Sequence, residues 1–152
     1  MRVHPMEKLL LIAIRTVMVA GAALVVSLPW TSAWLLGFFH DPFADDATYR
    51  IVIVVFFMVV GVLVLWGLGE AQAMVASISS GPFTARNARA LTRAGILSLA
   101  VAALFVIRVI LYPDATSILV AVAAVLVGLA CFTLAQLIAR AAEIKAENDL
   151  TI

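Results

Sequence analysis

The sequence predicts an all-α membrane protein, a bundle of four transmembrane helices with cytosolic N- and C-termini. Three observations predict it. Of 152 residues, 65% are apolar and only 12% are charged, whereas a typical soluble domain carries about 25% charged residues. The apolar residues gather into four unbroken runs, and Lys and Arg collect in alternate connections between them. A water-soluble domain of this length needs more polar surface than these residues supply.

The four runs are Leu9–Leu28, Ile51–Leu68, Ala94–Leu111 and Ser117–Ile138. Each is close to the roughly 20 residues that cross a hydrocarbon core about 30 Å thick. They do not alternate with polar residues, so helices are expected rather than barrel strands. The first run is expected to stop at Pro29. Arg2 and Lys8 ahead of it, with Thr31-Ser32-Ala33 behind, have the outline of a signal peptide. The apolar run is too long for a signal core, and a retained helix is expected. The third run stops at Tyr112-Pro113. Its short connection to the fourth demands a tight antiparallel hairpin. Ala94, Ser98 and Ala102 on helix three, with Ala124 and Gly128 on helix four, supply small residues that let backbones approach. Gly69, Ala73 and Ser77 continue that pattern where helix two emerges.

Orientation follows from the cations. The N-terminus, the connection Glu70–Arg93 and the tail hold Arg2, Lys8, Arg86, Arg89, Arg93, Arg140 and Lys145. The other connections hold Arg50 alone, beside Asp41, Asp45, Asp46 and Asp114. The positive-inside rule places the first set in the cytosol. On the outer side, Trp30 and Trp34 among aliphatic residues predict a stretch lying along the bilayer surface. His40, Asp41, Asp45 and Asp46 are chemically competent ligands, but their spacing matches no metal site and solvated loop acids are expected.

Charges near the spans need partners. Arg15 sits in the first span and Glu70 at the end of the second; they form a candidate intramembrane ion pair, the alternative being that each snorkels on its own to the inner edge. Arg108, one turn before Asp114, forms a candidate outer polar site with it. Gln72 and Gln136 are expected to hydrogen-bond across the bundle.

In the cytosolic connection, Gly81-Pro82 ends the helix before it and Thr84 is placed to cap the next. Arg86, Arg89 and Arg93 then share one helical face. Pro82, Phe83, Thr84, Arg86, Asn87, Arg89 and Arg93 form the candidate surface for a partner protein or for lipid heads. The tail is expected to carry helix four outward until Asn148-Asp149.

The segment Gly81-Pro82-Phe83-Thr84-Ala85-Arg86-Asn87-Ala88-Arg89-Ala90-Leu91, with Gly95 after it, resembles the signature of a bacterial membrane family, that of domain of unknown function 2975 (DUF2975). The ending Glu143 to Ile152 also resembles that family's acidic-Asn-acidic stretch followed by Leu-Thr-Ile. Thr92 stands where the family often has another basic residue. The resemblance extends over nearly the whole chain. It implies a multi-pass protein of the bacterial cytoplasmic (inner) membrane. It also implies a possible partner, a helix-turn-helix transcription regulator of the Xre type. It carries no catalytic residues.

The sequence itself points away from other classes. Cys131 is the only cysteine, so no intrachain disulfide or multi-cysteine metal site exists. A net charge of +1 gives no field for nucleic acid. No nucleophile–base pair, phosphate loop or cofactor motif is visible, so no enzyme is expected. The leading expectation is a non-catalytic regulatory or protein-binding membrane partner. The alternatives are a small channel or transporter component, and an accessory subunit of a larger membrane complex. Homo-oligomers are compatible with all of them.

Overall fold

The computed structural model describes residues 5–38, 46–77, 81 and 83–150. They form α1 (Pro5–Phe38), α2 (Ala47–Val75), α3 (Ala85–Leu111) and α4 (Ala115–Leu150). All four helices are long and apolar enough to cross a membrane. Arg2, His4, His40, Asp41, Asp45, Pro82 and the ending Thr151-Ile152 lie outside the described residues. Among the described residues no cluster of metal ligands occurs.

The helices pack in chain order, α1 on α2, α2 on α3, and α3 most extensively on α4. The main core joins Val60 of α2 to Val101 and Phe105 of α3 and Ala121 of α4. Phe56 meets Phe105 edge to face at 5.2 Å between ring centroids, a favoured aromatic geometry. A second cluster, Leu36, Tyr49 and Ile53 with Tyr112 against it, ties α1, α2 and the α3–α4 turn together at one end.

The expected hairpin of α3 and α4 forms around small residues. A Cβ added to Gly95 would stand 3.2 Å from the Gly128 carbonyl oxygen and 3.0 Å from the Phe132 ring. The close approach also lets the Ser98 hydroxyl donate to the Ala124 carbonyl at 2.8 Å. Between α1 and α2 the close approach is at Gly61, where a Cβ would collide with Val25.

Three boundaries differ from expectation. α1 does not stop at Pro29 but runs through it to Phe38. Proline removes one backbone donor, a loss that helices near a membrane tolerate when packing and hydroxyl groups compensate. Here Leu28, Ser32 and Leu36, four apart, are buried on one side. Trp30 and Trp34 are therefore outward faces of this helix, Trp34 stacked on Phe38, and not a separate surface stretch. α2 ends at Val75, several residues before Gly81, whose φ of 136° is open to glycine. α4 continues past Asn148 to Leu150.

Candidate functional site

Polar side chains gather at the two ends of the bundle. At the end where α2 meets α3, the Thr84 hydroxyl accepts from the Asn87 N–H at 3.3 Å, the expected N-cap. Asn87 itself turns inward and is buried. Its Nδ2 donates to Ser77 Oγ at 2.8 Å, and Ser77 Oγ donates to the Met74 carbonyl at 2.7 Å. A buried amide needs such partners. Asn87 is thus a clamp between α2 and α3 rather than part of an exposed surface.

Arg86, Arg89, Thr92 and Arg93 line a shallow groove of about 400 Å³ on α3. The Arg89 Nε donates to the Ala85 carbonyl at 3.3 Å, which folds the side chain back along the helix. Arg93 forms an ion pair with Glu70 at 3.1 Å. That pair corrects the expected Arg15–Glu70 pairing: Arg15 is exposed and makes no ion pair among the described residues. The reason is packing. α3 lies against α2, so Arg93 comes within reach of Glu70. Arg86 also forms no ion pair among the described residues. Phe83 is exposed beside Thr84. Gln136 is exposed on α4, and among the described residues neither it nor Gln72 makes the expected cross-bundle hydrogen bond.

At the opposite end Arg108 is 13% exposed and pairs with Asp114, as the sequence suggested. The same guanidinium also contacts Ser117 Oγ, and its Nη2 donates to the Tyr49 hydroxyl at 3.4 Å. Asp114 caps α4 by accepting from the Ser117 N–H at 2.7 Å. Burial pushes the Asp114 carboxyl up, but the Ser117 hydroxyl and N–H, with the Arg108 guanidinium, outweigh it and hold its pKa below the ordinary carboxylate value. Tyr49 and Ser117 are almost fully buried. The Arg108 Nε is buried without a hydrogen-bond partner. This arrangement is a latch between the start of α2 and the α3–α4 turn.

Sequence reasoning passed over Ser117, Tyr49 and the inward turn of Asn87. Asp114 had a signal, since an Asp just before a helix is a favoured N-cap whose oxygen accepts from the N–H three residues on, here that of Ser117. Tyr49 had none, because its partner is 59 residues away.

A family model described as a protein of unknown function (DUF2975) matches residues 45–152. The chain belongs to the DUF2975 family. The match takes in α2, α3 and α4 but not α1, a narrower reach than the near-complete coverage expected from the sequence. No match was found among curated proteins or among solved structures. The Phe83–Gly95 segment that carried the resemblance is the capped, clamped and arginine-bearing start of α3 in this DUF2975 protein.

Proposed function

We propose that this DUF2975 chain is a non-catalytic, multi-pass protein of the bacterial cytoplasmic membrane, with both termini and the 70–93 connection in the cytosol. Its cytosolic end, centred on Pro82 to Arg93 and the α4 tail, binds another protein. Insertion is supported by surface chemistry. Val19, Ile110 and Trp30 are each more than 70% exposed, and apolar side chains in such numbers on the outside of a bundle belong against lipid. The cytosolic placement is supported by the gathering of Arg86, Arg89, Arg93 and Arg140 at one end.

The observation that carries the binding role is the set of contacts that ties the end of α2 to the start of α3. The Asn87–Ser77 clamp, the Thr84 cap and the Arg93–Glu70 pair fix the departure of α3 from α2. A fixed surface loses less conformational entropy on docking than a loose loop does. The resemblance noted above supports an Xre-type helix-turn-helix regulator as the partner. Affinity purification of the tagged full chain from detergent extract tests it. Recovery of one soluble regulator, lost when Phe83 and Thr84 are replaced by Ala, is the expected result. Reporter fusions placing 85–92 outside the cell, or a chain soluble without detergent, would overturn the reading.

An apolar crevice of about 400 Å³ between α1 and α2, lined by Gly21, Leu24, Phe57 and Gly61, favours a second reading. It would seat a further transmembrane helix, as in an accessory subunit of a larger complex or a homo-oligomer. The channel or transporter alternative needs a polar path through Arg108 and Arg15; Arg108 is engaged by Asp114, Ser117 and Tyr49, and Arg15 is exposed on α1.

A further inference from the structure

We infer that the Arg86–Arg89–Thr92–Arg93 groove is a side-facing binding site for the phosphate headgroup of an anionic phospholipid. The inference rests on the membrane insertion proposed above and narrows the rest of that reading. The protein partner is left the tip at Phe83 and Thr84 and the α4 tail.

The first argument is position. α3 is packed on both α2 and α4, so only one face of it remains free. Along that face the exposed residues run Arg86, Arg89 and Arg93, then Ile96, Ala103 and Ile107. Successive steps of three, four or seven residues keep them within about 100° of one another, on one stripe. Ile96 is 56% exposed and Ile107 is 54% exposed, so the stripe below the arginines is greasy and uncovered. The cations and the apolar stripe therefore look in the same lateral direction, and the boundary between them falls within one turn, between Arg93 and Ile96. A phospholipid has that pattern, a charged phosphate joined to acyl chains that run down the bilayer. An acidic cytosolic protein would meet cations at the tip of the bundle, not cations continuous with a hydrocarbon face.

The second argument is electrostatic. Three arginines fall in the first nine residues of α3, with no acid in the first turn. Cations at a helix N-terminus oppose the helix dipole, whereas an anion there is favoured. Among the described residues only Glu70 forms an ion pair with these arginines, and it takes Arg93. Positive charge is left over at Arg86 and Arg89. The fold holds it in place, with Arg89 tied back to the Ala85 carbonyl and Arg93 tied to Glu70. Guanidinium groups bind phosphate oxygens through paired N–H donors. Thr92 adds a hydroxyl to the groove, although its proton is directed to the Ala88 carbonyl at 3.0 Å. The hydroxyl oxygen is thus an acceptor towards the groove and suits a glycerol or amine portion of a headgroup.

The test uses the full chain in nanodiscs of phosphatidylcholine containing a minor fraction of phosphatidylglycerol, with retained lipids counted by native mass spectrometry. Phosphatidylglycerol is expected to be enriched over its bulk fraction on the wild type. Removal of each guanidinium is expected to weaken retention about fivefold, the factor corresponding to about 1 kcal/mol per basic residue at an anionic surface. R86Q/R89Q/R93Q should abolish the enrichment, and R86K/R89K/R93K should keep part of it and serve as the folding control. For the wild type alone, raising salt should remove the enrichment without changing helicity by circular dichroism. Thermal-shift measurements in neutral detergent with inorganic phosphate separate the sources. Stabilisation by free phosphate as strong as that by short-chain phosphatidylglycerol would overturn the lipid assignment. Equal retention of both lipids by wild type and by the Gln variant would also overturn it. A chain that does not enter nanodiscs at all refutes the insertion on which the inference rests, and this outcome is distinct from insertion without lipid preference.

Discussion

The Arg108–Asp114 latch makes a directional prediction, because its two members differ in burial. Asp114→Asn keeps the side-chain oxygen that caps α4 but removes the charge opposite Arg108. That guanidinium is 13% exposed, against 35% for the carboxylate, and its Nε already lacks a partner. Removing one member of a fully buried pair costs about 3–5 kcal/mol. Residual exposure and the remaining bonds to Ser117 and Tyr49 reduce this to about 2–3 kcal/mol for Asp114→Asn. Arg108→Met is milder. It leaves a carboxylate that is one-third exposed and still held by Ser117, and it removes a guanidinium that is costly to desolvate, so about 1 kcal/mol or less is expected. In the double variant the orphaned cation is gone, so its loss should fall back towards that of Arg108→Met, a coupling of about 1–2 kcal/mol. SDS titration in mixed micelles, followed by far-ultraviolet circular dichroism, reads these differences. The reasoning is refuted if Arg108→Met loses as much as Asp114→Asn, or if the double variant is the sum of the singles. The latch also sets a pH dependence. A lowered folded-state pKa means the contribution of Asp114 is fully present above its ordinary value of about 3.9 and is lost as pH falls through the lowered one. Stability from this group should be level between about pH 8 and 5 and fall in stronger acid, and Asp114→Asn should lack that fall.

Other substitutions test the remaining contacts. Gly95→Val forces α3 from the Gly128 backbone and Phe132 and should cost about 1–3 kcal/mol, while Gly69→Ala adds a methyl to open space and should be neutral or stabilise by up to about 1 kcal/mol; thermal unfolding in detergent compares the pair. Asn87→Ala leaves a buried hole opposite Ser77 and should cost about 1–2 kcal/mol, with faster amide exchange at the end of α2 and start of α3 by mass spectrometry. Exchanging charges in Glu70→Arg with Arg93→Glu should restore whatever the single reversals lose, within the limit of about 1 kcal/mol for an exposed pair, whereas Glu70→Arg with Arg15→Glu should restore nothing in the same unfolding assay.

The features that the sequence made legible are the local ones. Four apolar runs gave four helices, Thr84 stands where a helix start needs an oxygen acceptor, and Arg108 is near enough in sequence to Asp114 for the pair to be foreseen. Ser98 and Gly128 were recognisable as seam residues because their spacing lies within one helix. The failures have a common physical cause. Whether Pro29 ends a helix depends on what its far side can bury, and Leu28, Ser32 and Leu36 bury against α2, which local propensity does not report. The partner of Glu70 was assigned by matching depths along the chain. α3 supplies Arg93 from a packing direction that depth does not encode. Asn87 looked like an exposed polar residue between arginines, and the phase of α3 turns it inward by about 100° per residue relative to Arg86. Gly61 was unmarked because its close neighbour, Val25, belongs to another helix.

Where the polar residues fall also bears on which part of the chain does the work. Every member of the Arg108–Asp114 latch, Tyr49, Arg108, Asp114 and Ser117, belongs to the stretch that matches DUF2975. So does every member of the basic end: Glu70, Ser77, Thr84, Asn87 and the three arginines. α1 lies outside the match and packs chiefly on α2, through Leu28, Ser32, Leu36 and the Val25–Gly61 contact. Its contribution is burial of apolar surface, and among the described residues its Arg15 enters neither polar assembly. The two assemblies also differ in their charge balance. The latch joins one cation to one anion, with the cation the more deeply buried of the two, so its charges balance within the chain. The basic end sets three guanidinium groups against one carboxylate and leaves the groove open. On the proposed function, recognition of something outside the chain falls to the start of α3, whose far end the latch fixes.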